Sequence, residues 1–151
     1  MAIQNWERAW APYDEQTYQD VLHWITPDDI VIDIGAGDLR LSRRLAAIAA
    51  RVYAVEINLV QSDGPLPENL VVWQQDATVA TFPSKATVAV LLMRHCAHFQ
   101  LYAEKLRAGG CRWLITNARW GLNVERLDLQ APRRPFTAVE MGQYACWCGA
   151  V

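Results

Sequence analysis

Apolar residues recur with two different periods along this chain, and the change from one period to the other predicts alternating helices and strands. After Asp14, which suits a helix N-cap, apolar residues at positions 18, 21, 22 and 25 share one helical face. Residues 30–34 form a β-branched and nearly continuous apolar run, which is typical of a strand buried in a parallel sheet. Helical spacing returns over residues 41–50, after a turn that contains two glycines.

The same alternation continues through the middle of the chain. Short apolar runs predict further strands over residues 52–55, 70–73, 88–93 and 113–116. A helical face over residues 99–106 ends at Gly109 and Gly110, which are typical helix terminators. A turn-rich stretch over residues 62–67 replaces the helix between the second and third strands. This order predicts an α/β fold with a mostly parallel sheet between two layers of helices.

The pattern weakens beyond Asn117. Residues 122–129 fit neither period well and are compatible with a helix or a strand. Residues 136–141 and 144–151 are strand-like, and we expect them to form a C-terminal antiparallel hairpin that completes the sheet.

The length of 151 residues suits a single domain over residues 1–151, with an N-terminal helical region (1–26) and a short C-terminal part (118–151). The shortness of that last part is compatible with a truncated chain. Hydrophobic residues make up 52% and charged residues 20%, the balance of a folded protein. The apolar runs are too short to cross a membrane, and the first residues lack an apolar signal region. We therefore expect a cytoplasmic protein.

The net charge of −2 gives the chain no general attraction to nucleic acid. Residues 111–151 differ, because they carry three acidic residues and five arginines, namely Arg112, Arg119, Arg126, Arg133 and Arg134. These arginines form either an ordinary solvated surface or a patch that faces an anion such as RNA.

Four cysteines fall into two groups. Cys96 and Cys111 lie in or beside strand-like runs, so we interpret them as small apolar side chains of the core. Cys146 and Cys148 form a Cys-x-Cys pair, which can begin a zinc site. A closed site needs four ligands and no second pair follows, so we predict no metal site unless the fold brings Cys96, Cys111 or a histidine to the pair or a segment beyond Val151 completes it.

Three of the predicted strands end in residues that suit a nucleoside ligand. The first strand runs into Asp33-Ile34-Gly35-Ala36-Gly37, where two glycines allow a tight turn and a close approach of the backbone. Glu56 ends the second strand and can accept hydrogen bonds from two ribose hydroxyls. Asp76 and Ala77 follow the third strand and suit an adenine amino group. Because parallel strands place their carboxyl ends at one edge, these residues predict a ligand site there.

A dinucleotide site is the first alternative, and the glycine loop argues against it. Dinucleotide motifs have a small third residue where this chain has Arg40. Dinucleotide motifs also do not call for an acidic residue inside the strand, where this chain has Asp33. An acid at this position suits a cofactor that has a cationic amino-acid end and no pyrophosphate.

Asp33-x-Gly35-x-Gly37, Glu56 and Gln75-Asp76-Ala77 resemble the cofactor-binding motifs of class I S-adenosylmethionine-dependent methyltransferases. The likeness covers roughly residues 15–117, including a Gly109-Gly110 segment before the fifth strand. It implies a three-layer, Rossmann-like methyltransferase fold and S-adenosylmethionine as the cofactor. The first motif would hold the methionine part, Glu56 the ribose and Asp76 with Ala77 the adenine. The implied cofactor-binding residues are Asp33, Gly35, Ala36, Gly37, Glu56, Ile57, Asp76 and Ala77. The alternative is that they only cap strands and shape turns.

The segment after the fourth strand departs from the family's amino-methyltransferases. Those enzymes carry Asn/Asp-Pro-Pro-aromatic there, and this chain has Met93-Arg94-His95-Cys96. The departure argues against exocyclic amino groups as acceptors, although the first half is similar to ribosomal RNA adenine enzymes. His95 lies on the expected catalytic rim and is the candidate general base, with His98 as a second choice. A helix cap or a loop-shaping role is the alternative for His95, and Arg94 either steers an anionic substrate or lies in solvent.

We therefore expect methyl transfer from S-adenosylmethionine to an unidentified acceptor, a small molecule rather than RNA, without contact with a membrane. The first alternative is a catalytically inactive S-adenosylmethionine-binding module, or a subunit that a partner completes, because the region after Asn117 is short. The second alternative is a nucleic-acid-binding domain that uses the C-terminal arginines.

Overall fold

A six-stranded sheet forms the centre of the computed structural model, which describes residues 12–59, 64–119 and 123–138. In chain order its elements are α1 (Glu15–Leu22), β1 (Ile30–Ile34), α2 (Arg40–Ala46), β2 (Arg51–Val55), β3 (Leu70–Trp73), β4 (Val88–Leu91), α3 (Phe99–Ala108), β5 (Trp113–Thr116) and β6 (Glu125–Asp128). A short 3₁₀-helix, Phe136–Ala138, follows β6.

The strand order is β3-β2-β1-β4-β5-β6, so the direction of winding reverses at β1. The first five strands are parallel, and β6 pairs antiparallel with β5. Asp33 on β1 lies opposite Ala54 on one side and Val90 on the other. Crossovers that leave β1 and β4 in opposite directions open a crevice at the carboxyl ends of these two strands. The predicted α/β fold is confirmed.

The two faces of β1 belong to different cores. Val31 packs with residues of α1 and α2, whereas Ile32 and Ile34 pack with residues of α3. Because side chains alternate along a strand, Asp33 faces the same layer as Val31 and lies against α2. Ile32 and Val31 are completely excluded from solvent, and each such aliphatic side chain stabilises the fold by about 1.5–3 kcal/mol.

Helix α1 begins as predicted, with Asp14 as the N-cap. The carboxylate of Asp14 accepts a hydrogen bond from the backbone amide of Thr17 at 2.8 Å. The helix ends at Leu22, and buried Ile25 continues the apolar face from a turn. Helix α2 is shorter than the predicted 41–50, since the chain leaves helical geometry after Ala46.

The antiparallel hairpin is present, but it forms from different residues than those predicted. Its strands are β5 and β6, and Leu127 and Leu129 point into the core beside α3. The strand prediction that began at residue 136 is wrong for residues 136–138, which form the 3₁₀-helix. The Ala138 amide donates to the Pro135 carbonyl at 2.9 Å, a turn hydrogen bond that replaces strand pairing here. Residues 139–151 lie outside the described part of the chain.

The cysteines that fall within the described residues match their interpretation as core side chains. Cys111 is buried in the core beside α3, and burial raises the pKa of its thiol to about 12. Cys96 is half-buried against the same core. Cys146 and Cys148 lie outside the described residues. None of the described helices is long and apolar enough to cross a membrane.

Candidate cofactor and active site

A cleft of about 1110 Å³ lies at the carboxyl ends of β1 to β4. Seven of the eight cofactor-binding residues predicted from the sequence line it, together with the candidate base: Asp33, Gly35, Ala36, Glu56, Ile57, Asp76, Ala77 and His95. The eighth, Gly37, is in the adjoining loop but does not line the cleft. The volume exceeds what one small ligand needs, so the cleft has room for a nucleoside cofactor and a second small molecule.

The glycine loop is held against the end of β2. The backbone amides of Gly35 and Ala36 both donate to the Val55 carbonyl, at 2.8 and 3.3 Å. Gly35 has φ +74°, and a Cβ placed there would come within 3.0 Å of the Met93 Cε atom. Position 35 therefore favours glycine for its backbone conformation, and an added methyl group would also force the end of the Met93 side chain to shift by a few tenths of an ångström.

Glu56 links the glycine loop to the segment that follows β2. One carboxylate oxygen accepts the Gly37 amide at 2.8 Å, and the other accepts the Asn58 amide at 2.8 Å. Each carboxylate oxygen has a second lone pair, so both can still accept a hydroxyl hydrogen. The side chain is thus oriented by backbone donors before any ligand arrives.

Asp33 is the most deeply buried acid of the cleft. It is 3% exposed, and its carboxylate accepts a 2.5 Å hydrogen bond from the Ser42 hydroxyl of α2. Burial raises the pKa of Asp33 to about 6; the Ser42 hydrogen bond opposes this rise, and the negative charge of Glu56 adds to it. A cation bound beside Asp33 would favour the charged carboxylate.

The turn after β3 is braced from both sides. Asp76 accepts the hydroxyl and the backbone amide of Thr78 through one oxygen, at 2.7 and 2.9 Å, and these hydrogen bonds lower the pKa of Asp76. From α3, the Lys105 ammonium donates to the carbonyls of Ala77, Thr78 and Ala80, at 2.6, 3.1 and 2.7 Å. Asp76 and Ala77 are therefore held in place by a helix far away in sequence.

Ile57 supplies an apolar surface at the edge of the cleft. Ile57 is 46% exposed, so it presents apolar surface to solvent in the ligand-free protein. It lies between Glu56 and Asn58 in the chain, near the turn that carries Asp76 and Ala77 around the same cleft. A planar, uncharged ring such as adenine would cover this surface.

The segment after β4 provides the other wall. His95 is exposed and has φ +60°, a left-handed conformation that is uncommon for residues other than glycine. His98 is also exposed, lies at the N-cap of α3 and packs edge-on against Tyr102, with ring centroids 6.1 Å apart. Both histidines line the cleft. Arg94, which precedes His95 in the chain, is half-buried, so its side chain is not fully solvated.

The charges around the cleft are mainly negative. Its acidic lining residues are Asp14, Asp33, Asp38, Glu56 and Asp76, and its arginines are Arg40 and Arg94. Arg40 pairs with Asp38 at 2.8 Å, which removes one charge of each sign. The remaining excess of acid favours a cationic ligand and disfavours the pyrophosphate of a dinucleotide.

No group of three or more histidine, cysteine or acidic side chains that could hold a metal ion occurs among residues 12–59, 64–119 and 123–138. The Cys146 and Cys148 pair lies outside these ranges, so the zinc alternative stays a prediction.

Comparison with known proteins identifies the fold. The sequence matches no family model and no curated protein. Among solved structures, precorrin-8W decarboxylase of Methanobacterium thermoautotrophicum superposes with a TM-score of 0.58 at 19% identity, over 71% of this chain and 64% of that one. The 23S rRNA methyltransferase ErmE superposes with a TM-score of 0.56 at 18% identity, over 69% of this chain and 46% of ErmE. The precorrin-6y C5,15-methyltransferase of Geobacter metallireducens superposes with a TM-score of 0.57 at 14% identity, over 74% of this chain and 68% of that enzyme.

The chain has the class I methyltransferase fold. It spans less than two thirds of the decarboxylase and of ErmE.

Within this methyltransferase fold, sequence reasoning missed the residues that support the site. Ser42 and Lys105 contact Asp33 and the turn after β3, but neither belongs to a recognisable motif. The only sequence signal for Ser42 is its place between Leu41 and Leu45 in the apolar pattern of α2, and its complete burial is seen in the structure. Lys105 gave no such signal, because a lysine in the last turn of a helix is ordinarily solvated.

Proposed function

We propose that this chain is an S-adenosylmethionine-dependent methyltransferase that acts on a small-molecule acceptor. The observation that carries the proposal is the gathering of residues from three strand ends around one acidic cleft. The likeness of the fold to methyltransferases supports the reaction class, and the dominant negative charge supports a cationic sulfonium cofactor.

The chain's own residues fit such a cofactor. Asp33 would hold the ammonium of the methionine part, since a buried carboxylate with a raised pKa gains from a neighbouring cation. Gly35 keeps the loop free of a Cβ, which leaves room for a ligand to approach the backbone. Glu56 would accept the ribose hydroxyls, and Asp76 the adenine amino group. When bound, the cofactor supplies a methyl group on a sulfonium leaving group.

His95 would remove the proton from the acceptor. Its exposed imidazole lies on the cleft wall after β4, on the opposite side of β1 from the strands that carry Glu56 and Asp76. A hydroxyl or amine acceptor loses its proton as its lone pair attacks the methyl carbon, and imidazole accepts protons near neutral pH. His98 lies one turn further along and is the second candidate for this role.

The cleft favours a small acceptor over RNA. Five acids and two arginines line it, and one arginine is already paired with Asp38. RNA would bring several phosphates against these acids, whereas a small molecule can carry a single charged group beside Arg94 and needs to satisfy only a few other groups.

Binding of S-adenosylhomocysteine to a Glu56→Gln variant tests the proposal. The glutamine side chain would direct its NH₂ group at one of the two backbone N–H groups that Glu56 accepts, so one hydrogen bond to a charged oxygen is lost. The contacts with the ribose hydroxyls would also be weaker. We expect the Kd to rise by about 100-fold, which corresponds to about 2.7 kcal/mol. Glu68→Gln, an exposed carboxylate outside the cleft, should leave the Kd unchanged. Equal Kd values for wild type and Glu56→Gln would remove Glu56 from the site.

Transfer is tested separately with S-adenosylmethionine labelled in its methyl group. Incubation with metabolite and RNA fractions from the source organism should label a small molecule. Labelled RNA would contradict the proposed acceptor class. Tight cofactor binding without any labelled product would favour the inactive module or the partner-dependent subunit.

A further inference from the structure

Arg94 lines the cleft on its β4 side and lies in an unusual environment. Its guanidinium carbon is 5.2 Å from the centre of the Tyr13 ring, and its backbone amide donates to the Tyr13 hydroxyl at 3.3 Å. Tyr13 is fixed in turn, since its own amide donates to the hydroxyl of buried Tyr18 at 2.9 Å. The arginine is therefore oriented by a chain of contacts that reaches into the core.

The hydrogen-bonding capacity of Arg94 is not met by the described residues. Its Nε atom is buried and has no hydrogen-bond partner. No carboxylate in residues 12–59, 64–119 or 123–138 forms an ion pair with it, whereas Arg40 in the same cleft is paired with Asp38. The nearby Asp14 carboxylate accepts the Thr17 amide as the cap of α1; this hydrogen bond lowers the pKa of Asp14, and the charge of Arg94 lowers it further without forming an ion pair. A buried donor on a cation is costly unless a ligand or a water satisfies it.

The contact between the Arg94 guanidinium and the Tyr13 ring bears on which ligand would satisfy Arg94. A guanidinium that lies against an aromatic ring keeps its N–H groups directed outward in its own plane. Because Nε is buried, the two terminal nitrogens are the pair that can form a fork toward two oxygens of a carboxylate or a phosphate in the cleft. Neutral hydroxyls and amides lack the paired anionic oxygens that such a fork prefers.

We propose that Arg94 binds a carboxylate or phosphate group of the methyl acceptor, and this inference rests on the proposed function. The position supports the acceptor as the source of the anion. Arg94 follows β4, next to His95, whereas Glu56 and Asp76 follow β2 and β3 on the other side of β1. The acceptor's anionic group would anchor it beside His95, and its reacting atom would extend toward the glycine loop. The cofactor's own carboxylate offers the same chemistry, so the experiment separates the two sources.

The test uses the full chain saturated with S-adenosylhomocysteine and follows three probes by calorimetry and NMR titration. Phenylacetate and phenyl phosphate carry the two anionic groups, and phenylacetamide is the neutral counterpart. We expect the wild type to bind at least one anion about tenfold or more tighter than the amide. Arg94→Met should remove this preference, and Arg94→Lys should retain only part of it, because lysine keeps the charge without the fork. Arg43→Met removes a charge outside the cleft and should keep the preference.

The outcomes are distinct. An anion preference that survives in Arg94→Met, or is missing in the wild type, would overturn the inference. A rise in the Kd of S-adenosylhomocysteine in both Arg94→Met and Arg94→Lys would assign Arg94 to the cofactor's carboxylate and would also overturn it. Failure of the wild type to bind S-adenosylhomocysteine at all would instead refute the proposed function. The Tm of Arg94→Lys shows whether any loss follows from unfolding.

Discussion

The pH dependence of cofactor binding offers a sharp test of the role of Asp33. In the ligand-free protein, burial raises the pKa of Asp33 to about 6. The neutral acid that dominates below this pH attracts an ammonium group poorly, whereas the carboxylate above it attracts the group strongly. S-adenosylhomocysteine should therefore bind more tightly as the pH rises through about 6, and its binding should release a proton in this range.

The expected magnitude follows from the fraction of Asp33 that is ionised. With a pKa of about 6, about one tenth of the side chain is ionised at pH 5 and nearly all of it at pH 7.5. The Kd should be about tenfold larger at pH 5, a difference of about 1.4 kcal/mol. In the absence of ligand the sign for stability is reversed. The folded protein holds the proton more tightly than the unfolded chain, so the Asp33 contribution to stability is lost as the pH rises through about 6.

Calorimetric titrations of S-adenosylhomocysteine between pH 5 and 8 would measure this dependence. Asp33→Asn should bind weakly with a Kd that no longer changes, and Ser42→Ala should shift the midpoint upward, because Ser42 donates to the carboxylate. His95 and His98 also face the cleft, so the double glutamine variant is the control and should keep the wild-type profile. A flat wild-type profile, or a profile that Asp33→Asn preserves, would refute the assignment of Asp33 to the ammonium group.

Three further substitutions have matched controls or readouts. Gly35→Ala should lower the Tm more than Gly110→Ala in thermal unfolding. Both glycines have positive φ, but only the methyl group added at position 35 meets Met93. Equal losses of Tm would contradict the close contact with Met93. Lys105→Met should lower the free energy of unfolding by about 2 kcal/mol and weaken the binding of S-adenosylhomocysteine, because three hydrogen bonds to carbonyls are lost. The exposed control Lys85→Met should change neither quantity. Similar denaturation curves for the two variants would show that these hydrogen bonds contribute little. His95→Asn, which tolerates the left-handed backbone, should keep the Kd for S-adenosylhomocysteine and lower methyl transfer about 100-fold; retained transfer would dismiss His95 as the base.

The main elements of the fold could be predicted because each strand carries its own signal. The β-branched run at residues 30–34 and the glycines after it identify a buried parallel strand and the turn that follows. The last strand could not be assigned with the same clarity. The apolar side chains of that region that pack against the core are Val124, Leu127 and Leu129, which is too short a pattern to separate a strand from a helix. The competing strand-like segment directly follows Pro135 and forms a 3₁₀ turn over residues 136–138, where it is described.

The residues of the site were predictable where they follow a strand directly, as Glu56 does. Contacts that depend on distant parts of the chain were not. Arg94 is half-buried because Tyr13, 81 positions earlier, packs against it, and no local pattern indicates this pairing. Gly37 was predicted to hold the methionine part, and the structure uses its amide to orient Glu56. Its role toward a ligand stays a prediction.

Calorimetric titration of the wild-type chain with S-adenosylmethionine and S-adenosylhomocysteine, with NAD as the control ligand, tests the central claim most directly. The acidic cleft and the buried Asp33 predict saturable one-site binding of the first two ligands and none of NAD. Binding of NAD alone, or of no ligand, would contradict the assignment of this cleft to a sulfonium cofactor.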